Sequence, residues 1–161
     1  MGAESSILSV NELFKQLNTK ADLLYKFVML YSDYTVEGQD YGTGEFINMV
    51  AVHTLTAIAE NPGINISELA AMWNRTNGAI SQTATKLEKA GYIIRRKQPG
   101  NKKFVELYPT EKGIALSQAH MRYDAIEVSK TMNQLLNSGC TAAEIDIFFK
   151  VVEKYIEILL N

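Results

Sequence analysis

Apolar residues recur at three- and four-residue spacing along most of this 161-residue chain, which is the period of an amphipathic helix. The pattern predicts a long helix over residues 11–31 and a second helix over residues 45–60. The first helix carries two apolar stripes, and since both must be buried, we expect it to face a second partner surface. Residues 33–44 are polar and contain three glycines, which predicts a connector.

The segment after the second helix predicts a short helix. Residues 61–63 have strong turn chemistry and end the preceding helix. Asn65 stands three residues before Glu68, which is a capping-box spacing with Asn in place of the usual Ser or Thr. We therefore expect a helix over residues 67–73, with Trp73 among its inward-facing side chains.

A further helix and a two-stranded hairpin complete the middle of the chain. Thr76 can cap a helix over residues 77–90, and Gly91 ends it in the usual C-terminal position. Residues 92–97 and 103–108 then predict two strands joined by a turn that contains Pro-Gly. The tip of this hairpin is basic.

Two helices are predicted after the hairpin. Thr110 caps the first, which extends to about Leu136, and an Asn-Ser-Gly turn ends it. Thr141 and Glu144 form a capping box for the last helix. The fold class is therefore mostly α with a small β-hairpin wing.

The central order of helix, short helix, helix and hairpin is that of a winged helix-turn-helix. In this motif the second helix of the pair enters the major groove of DNA, so its outward side chains should form hydrogen bonds. Gln82 can pair with adenine and Thr85 can pack its methyl on thymine, whereas Lys86 is better placed for phosphates. The residues that we expect to contact DNA are Arg75, Asn77, Ser81, Gln82, Thr85, Lys86, Arg95, Arg96, Asn101, Lys102 and Lys103.

The distribution of charge supports this interpretation although the net charge is −2. Nine of the basic residues and only three of the acidic residues lie between Arg75 and Lys112. One basic block in an otherwise acidic chain is the electrostatic footprint of a protein that binds a polyanion. The alternative is an ordinary solvated face with the same composition.

Three stretches also resemble a known family: residues 65–70 (NISELA), residues 87–93 (LEKAGYI) and residues 110–113 (TEKG). The second stretch occurs in many winged-helix families. The third stretch follows the second wing strand, and together with the long terminal helices it narrows the resemblance to the MarR family of bacterial regulators. The resemblance covers nearly the whole chain.

The resemblance to MarR implies a single domain over residues 1–161. Residues 8–33 would form an N-terminal dimerisation helix, residues 45–110 the DNA-binding lobe and residues 110–161 the C-terminal dimerisation helices. It further implies a homodimer that binds a pseudo-palindromic double-stranded operator. Because most MarR relatives repress, the expected function is a repressor that a small ligand releases.

The wing departs from the pattern of the family. MarR wings usually carry Asp-x-Arg, in which the Asp orders the Arg that enters the minor groove, but Asn101 and Lys103 stand in those places here. An Asn–Lys pair has less charge pairing, and Lys lacks the planar fork of Arg. We therefore expect a more mobile wing and weaker reading of the minor groove.

The effector is less well defined by the sequence. Aromatic residues around the first helix and the histidines of the second and fifth helices suggest a pocket for a small aromatic or phenolic ligand, as the family often uses. The alternative is that these residues are core or dimer contacts. The candidate pocket residues are Tyr25, Tyr31, Tyr34, Phe46, His53 and His120, with Tyr41 nearby in the chain.

A zinc ion and an oxidant are two alternative effectors. Some zinc-responsive relatives place histidines on these two helices, and Asp124 lies one turn after His120, but no clustered ligand motif accompanies them. Cys140 precedes the last helix, where a thiol pKa can be lowered, which leaves redox sensing as an alternative. No metal site and no cofactor is predicted.

Other classes of protein are disfavoured. The sequence contains no phosphate-binding loop, nucleophile elbow or paired catalytic acids, so we do not expect an enzyme. A winged helix used only for protein interaction remains an alternative. Apolar runs fall well short of the ~20 residues that span a bilayer. The absence of a recognisable signal peptide and the single cysteine favour a cytoplasmic location.

Overall fold

The computed structural model describes residues 9–98 and 101–160, and the side chains of Gln16, Gln98 and residues 101–104 are outside this description. The helices are α1 (Val10–Val36), α2 (Met49–Glu60), α3 (Ile66–Met72), α4 (Asn77–Lys89), α5 (Glu111–Asn137) and α6 (Ala142–Leu160). The strands are β1 (Gly38–Asp40), β2 (Phe46–Asn48), β3 (Ile93–Gln98) and β4 (Asn101–Pro109). Within the described residues, no helix is both long enough and apolar enough to cross a membrane.

Polar side chains at the predicted positions begin the central helices. The Asn65 side chain accepts hydrogen bonds from the N–H groups of Ser67 and Glu68, and the Glu68 carboxylate accepts one from the Asn65 N–H. Thr76 caps α4, and Thr110 caps α5. Each of these bonds satisfies a backbone donor that the first helical turn leaves without a partner. The capping predictions for these three helices are confirmed.

The core lies where α2, α4 and α5 meet the β3–β4 hairpin. Its apolar side chains come from alternating turns of each helix and from the inner face of each strand. The largest of the fully buried ones are Leu55, Ile58, Leu69, Leu87, Ile93, Leu107 and Leu116. Burying each such side chain contributes roughly 1.5–3 kcal/mol, so this core holds the α4 helix and the hairpin in fixed relative positions.

The two terminal helices leave their apolar side chains exposed. None of the described residues of α6 is buried, and those of α1 are exposed or nearly so. The exposed apolar residues of these helices include Phe14, Leu17, Leu24, Phe27, Phe148, Ile156 and Leu159. A continuous apolar surface of this extent on one chain marks an interaction face.

The region between the first two helices differs from the predicted connector. The first helix continues to Val36, and β1 and β2 pair as a short antiparallel hairpin before α2 begins at Met49. The Asp40 carboxylate accepts three backbone N–H hydrogen bonds of 2.9, 2.9 and 3.0 Å from residues 42–44. Gly42 and Gly44 have positive φ, which glycine adopts at low cost. The polar residues therefore build a hairpin turn.

The prediction that Trp73 faces inward is wrong. Its side chain is 42% exposed, because α3 ends at Met72 and Trp73 is the C-terminal cap. The indole ring instead lies edge-on to His53, with 6.0 Å between ring centroids. A helix of two turns buries only a narrow stripe, which Leu69 and Ala70 already fill.

The wing hairpin is longer than predicted. Strand β4 begins at Asn101 rather than Lys103, and Asn101 pairs with Gln98 after a register shift at Lys97. Pro99 and Gly100, which were predicted to form the turn, lie outside the described residues. At the other end, Gly91 has φ of +77° and ends α4 as expected.

Candidate nucleic-acid interface

A tight turn sets the angle between α3 and α4. The Arg75 N–H donates a 2.8 Å hydrogen bond to the Ala70 carbonyl, and the Thr76 hydroxyl accepts one from the Ala79 N–H. Across the turn, the Asn77 amide donates to the Ser67 hydroxyl at 3.4 Å. These bonds fix the start of α4 relative to α3, as a helix-turn-helix requires.

The outward face of α4 is polar and basic. Ile80, Ala84 and Leu87 are buried in the core, so the opposite side of the helix faces solvent. This face contains a shallow concavity of about 330 Å³, lined by Ser81, Gln82, Thr85, Lys86 and Lys89. Its lining offers hydrogen-bonding groups and two cations but no carboxylate, which suits an anionic partner.

Arg95 of β3 connects the wing to α4. Its Nη2 donates hydrogen bonds to the Thr85 hydroxyl at 2.8 Å and to the Ser81 carbonyl at 3.3 Å. Its Nε also lies 3.2 Å from a Glu88 carboxylate oxygen. The guanidinium group therefore makes its contacts within the protein. The Thr85 hydroxyl accepts one of these hydrogen bonds and itself donates to the Ser81 carbonyl. Arg95 positions the wing against α4.

Replacing Arg95 with Met should loosen this connection. A hydrogen bond to a charged group contributes about 1.5–3 kcal/mol, so we expect a loss of roughly that size in the free energy of unfolding, measured by urea denaturation. Lys97→Met in the same strand removes the same charge from an exposed side chain and is the matched control, with little expected change. Equal losses in the two variants would contradict the positioning role of Arg95.

Arg96 remains exposed on the wing. Its guanidinium carbon lies 4.6 Å from the centroid of the Tyr108 ring, and the Tyr108 hydroxyl donates to the Glu106 carboxylate at 2.9 Å. Stacking on an aromatic ring holds a guanidinium in place while its N–H groups stay accessible. The predicted contacts from the side chains of residues 101–103 lie outside the described residues, and the predicted mobility of the wing stays a prediction.

A second group of polar side chains lies where α2 packs on α5. His53 and His120 have ring centroids 4.6 Å apart, and His120 is only 3% exposed. The Asp124 carboxylate lies 3.0 Å from Nε2 of His120 and 4.0 Å from Nε2 of His53. The Nδ1 atom of His120 is 3.1 Å from the Thr56 hydroxyl. Sequence analysis assigned the two histidines to the second and fifth helices and noted Asp124 one turn after His120, but it did not predict their direct contact.

Burial is the largest cause of the pKa shifts of two groups here, His120 and Tyr41. Desolvation lowers the pKa of His120 below its ordinary value, while the charge of Asp124 opposes this shift and that of His53 adds to it. Burial and the nearby Asp124 charge raise the pKa of Tyr41 to about 12. Tyr41 packs edge-on against His120 at 5.0 Å and against Tyr123 at 5.2 Å. At neutral pH it is therefore an uncharged phenol.

The predicted ligand-pocket residues divide into two groups. In the first group, His53 and His120 are in contact. Tyr34 lies near Asp124, and its pKa is raised mainly by burial, with a smaller contribution from the Asp124 charge. Tyr31 contacts Tyr34 at 6.3 Å between ring centroids. Tyr25 and Phe46, by contrast, are 68% and 78% exposed in the single chain. Thr56, Tyr123 and Ser117, which sequence analysis missed, complete the cluster through contacts between helices far apart in the chain.

Comparison with known proteins identifies related sequences and folds. Residues 47–105 match the sequence profile of the MarR family. The HTH-type transcriptional regulator YhjH of Bacillus subtilis, itself uncharacterized, is 31% identical over 84 residues, which are 52% of this chain and 48% of YhjH. The chain thus spans about half the length of the curated relatives it matches.

Two solved structures extend the similarity. A protein from Listeria monocytogenes, described as a MarR family transcriptional regulator and solved with a 26mer DNA, is 30% identical, with a TM-score of 0.54. The match covers 68% of this chain and 69% of that chain. FabT of Streptococcus pneumoniae, solved in complex with DNA, matches with a TM-score of 0.64 and 21% identity over 91% of this chain and 96% of its own. The latter match concerns the fold alone.

Proposed function

The chain belongs to the MarR family, and from this membership we propose that it is a transcriptional regulator that binds double-stranded DNA in a sequence-specific manner. MarR proteins are DNA-binding regulators rather than enzymes. The observation that carries the proposal is the outward face of α4, whose concavity presents Gln82, Lys86 and their neighbours without a carboxylate. In this orientation α4 is the recognition helix.

The roles of the recognition-helix residues follow from their positions. Gln82 is exposed on the face and has both a donor and an acceptor, so it can read a base edge. Lys86 and Lys89 lie further along the same face, where the ammonium groups can neutralise phosphates. Arg75, in the turn before α4, and Arg96, on β3, are also exposed and would extend the phosphate contacts.

The active form of the proposed regulator is a homodimer. The uncovered apolar faces of α1 and α6 support this, because they lie on the two helices that flank the DNA-binding lobe in the chain. A second copy would bury both faces through one symmetric contact. Two recognition helices related by two-fold symmetry would then bind a pseudo-palindromic operator.

The last part of the proposal concerns how DNA binding is regulated. The protein would act as a repressor whose operator affinity changes when a small ligand binds between the dimerisation helices and the DNA-binding lobe. The contact of α2 with α5 supports this position, since it joins the lobe to the C-terminal helices and holds His53, His120 and Tyr41. An aromatic or phenolic ligand would stack on such rings.

Fluorescence anisotropy with labelled duplexes tests the DNA-binding proposal. Tight binding to DNA from upstream of the protein's own gene, weakening steeply with salt and exceeding binding to a scrambled duplex, is the expected result. Equal weak binding to both duplexes would show polyanion binding without sequence reading. An absence of binding at low salt would contradict the proposal and favour a winged helix used for protein interaction.

Two substitutions separate base reading from phosphate contact. Gln82→Ala should weaken operator binding by roughly 5- to 150-fold, equivalent to about 1–3 kcal/mol, and reduce the preference over scrambled DNA. Lys86→Ala should weaken binding to both duplexes similarly and reduce the salt slope by about one. Lys130→Ala removes an exposed cation on α5, away from the recognition face, and is the control. If Gln82→Ala kept full preference, α4 would not be the base-reading element.

A further inference from the structure

We propose that Lys112 is a positioning residue for DNA binding, which holds the C-terminal end of the recognition helix α4 against the start of α5. The inference rests on the proposed function, and it assigns a role to a residue outside the outward face of α4. Its starting observation concerns residues 87–93 (LEKAGYI) and residues 110–113 (TEKG). These two stretches are separated by the wing in the chain, but they are hydrogen-bonded to each other in the structure.

The end of α4 leaves three backbone carbonyls that need donors from elsewhere. The Tyr92 N–H donates to the Leu87 carbonyl at 2.9 Å. The Gly91 N–H donates to the Glu88 carbonyl, also at 2.9 Å. These two bonds form a Schellman motif, which satisfies carbonyls inside the last turn of the helix. The carbonyls of residues 90–92 lie beyond those that the motif satisfies.

The start of α5 supplies a donor to each of these three carbonyls. The Ala90 carbonyl accepts a hydrogen bond of 3.1 Å from Nζ of Lys112. The Gly91 carbonyl accepts one of 2.7 Å from the Thr110 hydroxyl. The Tyr92 carbonyl accepts one of 2.9 Å from the Thr110 N–H. Of these donors only Lys112 is charged, and a cation is favoured at the negative, C-terminal end of the helix dipole.

Two further contacts hold the Lys112 ammonium in place. Its Nζ lies 2.9 Å from Oε1 of Glu45 and 4.5 Å from the centroid of the Tyr92 ring. The side chains of Lys112 and Glu45 are 48% and 46% exposed, so their ion pair alone would contribute little. Since the same ammonium has three partners, the entropy of ordering the lysine side chain is lost only once for all of them. Glu45 thus helps to keep Lys112 on the Ala90 carbonyl.

The end of α4 matters for DNA binding because the base-reading side chain depends on the orientation of the helix. Gln82 lies about two turns before Ala90 on a helix of 13 residues. A side chain that recognises a ligand has to be held within roughly 0.5 Å of its productive position. If the end of α4 were released, the helix would take several orientations. The apparent affinity would then fall with the fraction of molecules in the competent one.

Lys112→Met should weaken operator binding by roughly 10-fold, as expected if the competent orientation is populated about a tenth of the time. The salt slope should stay unchanged, because the loss of a phosphate contact would instead reduce it by about one. Lys130→Met removes the same charge from another exposed position of α5 and is the matched control, with wild-type affinity expected. Fluorescence anisotropy at several salt concentrations measures both quantities.

Glu45→Gln distinguishes positioning from simple electrostatics by the sign of its effect. Removing a carboxylate makes the protein more positive, so electrostatics alone predicts equal or tighter binding to DNA. Because Glu45 holds Lys112, we expect binding to be roughly 3-fold weaker instead. Glu111→Gln removes an exposed carboxylate next to Lys112 in the chain and is the matched control. It should bind the operator as tightly as the wild-type protein or slightly more tightly.

Amide hydrogen exchange in the DNA-free protein tests the contact independently of function. Lys112→Met should exchange the amides of Gly91 and Tyr92 about 10-fold faster, while Ala84, buried in the middle of α4, is unaffected. Unchanged exchange at these amides, a salt slope reduced by one, or equal affinities of Glu45→Gln and Glu111→Gln would each overturn the proposal. Wild-type protein that binds neither duplex would contradict the proposed function instead, and the exchange rates alone would then decide whether Lys112 holds α4.

Discussion

The double variant Ile156→Asp/Leu159→Asp is expected to be monomeric and to bind the operator about 100- to 10,000-fold more weakly than the wild-type protein. Both side chains are exposed apolar groups on α6, a helix with no buried residue among those described. Carboxylates there would have to be desolvated in the proposed dimer, which is unfavourable without a partner charge. Each monomer would then hold one half-site without the gain from the second recognition helix.

Light scattering after size exclusion measures this effect, because the wild-type protein should have about twice the 18.0 kDa mass of one chain. Lys150→Asp changes the net charge by the same amount at a polar position of α6 and should remain dimeric. Anisotropy titration with the operator gives the accompanying loss of affinity. A dimeric double variant, or a monomeric one that keeps wild-type affinity, would show that α6 does not form the functional interface.

Gly113→Ala is expected to destabilise the fold strongly. An added Cβ at Gly113 would overlap the carbonyl group of Tyr92 and also contact Leu55. The carbonyl cannot withdraw, because it accepts hydrogen bonds from the N–H of Thr110 at 2.9 Å and from its hydroxyl at 3.1 Å. We expect a loss of roughly 3 kcal/mol in the free energy of unfolding, because overpacking a rigid contact displaces backbone and core together. Urea denaturation measures it.

Gly78→Ala is the matched control for this prediction. Gly78 lies in the first turn of α4, and an added Cβ there would approach only the Thr76 hydroxyl oxygen, at 4.0 Å. Since alanine is favoured over glycine in helices by up to about 1 kcal/mol, stability should be unchanged or slightly raised. A Gly113→Ala protein as stable as Gly78→Ala would show that the start of α5 can move away from Tyr92.

Features with a local cause were predictable from the sequence. The caps at Asn65, Thr76 and Thr110 depend on side chains within three residues of the N–H groups that they bind. The end of α4 depends on Gly91 alone, because the left-handed backbone there favours glycine. The polar face of α4 follows from helical periodicity, once Ile80 and Leu87 are assigned to the core.

Features that depend on distant partners were not predictable. The sequence of β1 lacks β-forming residues, and its strand exists because it pairs with β2 across the Asp40 turn. Arg95 was expected to contact DNA, which stays a prediction, but its hydrogen bonds to Thr85 and Ser81 could not be foreseen because they depend on how the wing packs on α4. Likewise, the contact of His53 with His120 requires α2 and α5 to cross at a particular turn. Hydrophobic periodicity specifies a face but not the partner that meets it.

Helix α5 is buried at one end only. Its buried residues, from Gly113 to His120, all lie within its first ten positions, while most of the later residues are exposed. A straight helix of 27 residues is about 40 Å long. A small rotation about its buried end, in the DNA-binding lobe, therefore produces a large displacement of its exposed end. A tilt of roughly 5° displaces the far end by about 3.5 Å, which is close to the rise of one base pair along DNA. In the proposed dimer, a shift of about 1 Å beside His120 would thus be enough to put the two recognition helices out of phase with the double helix.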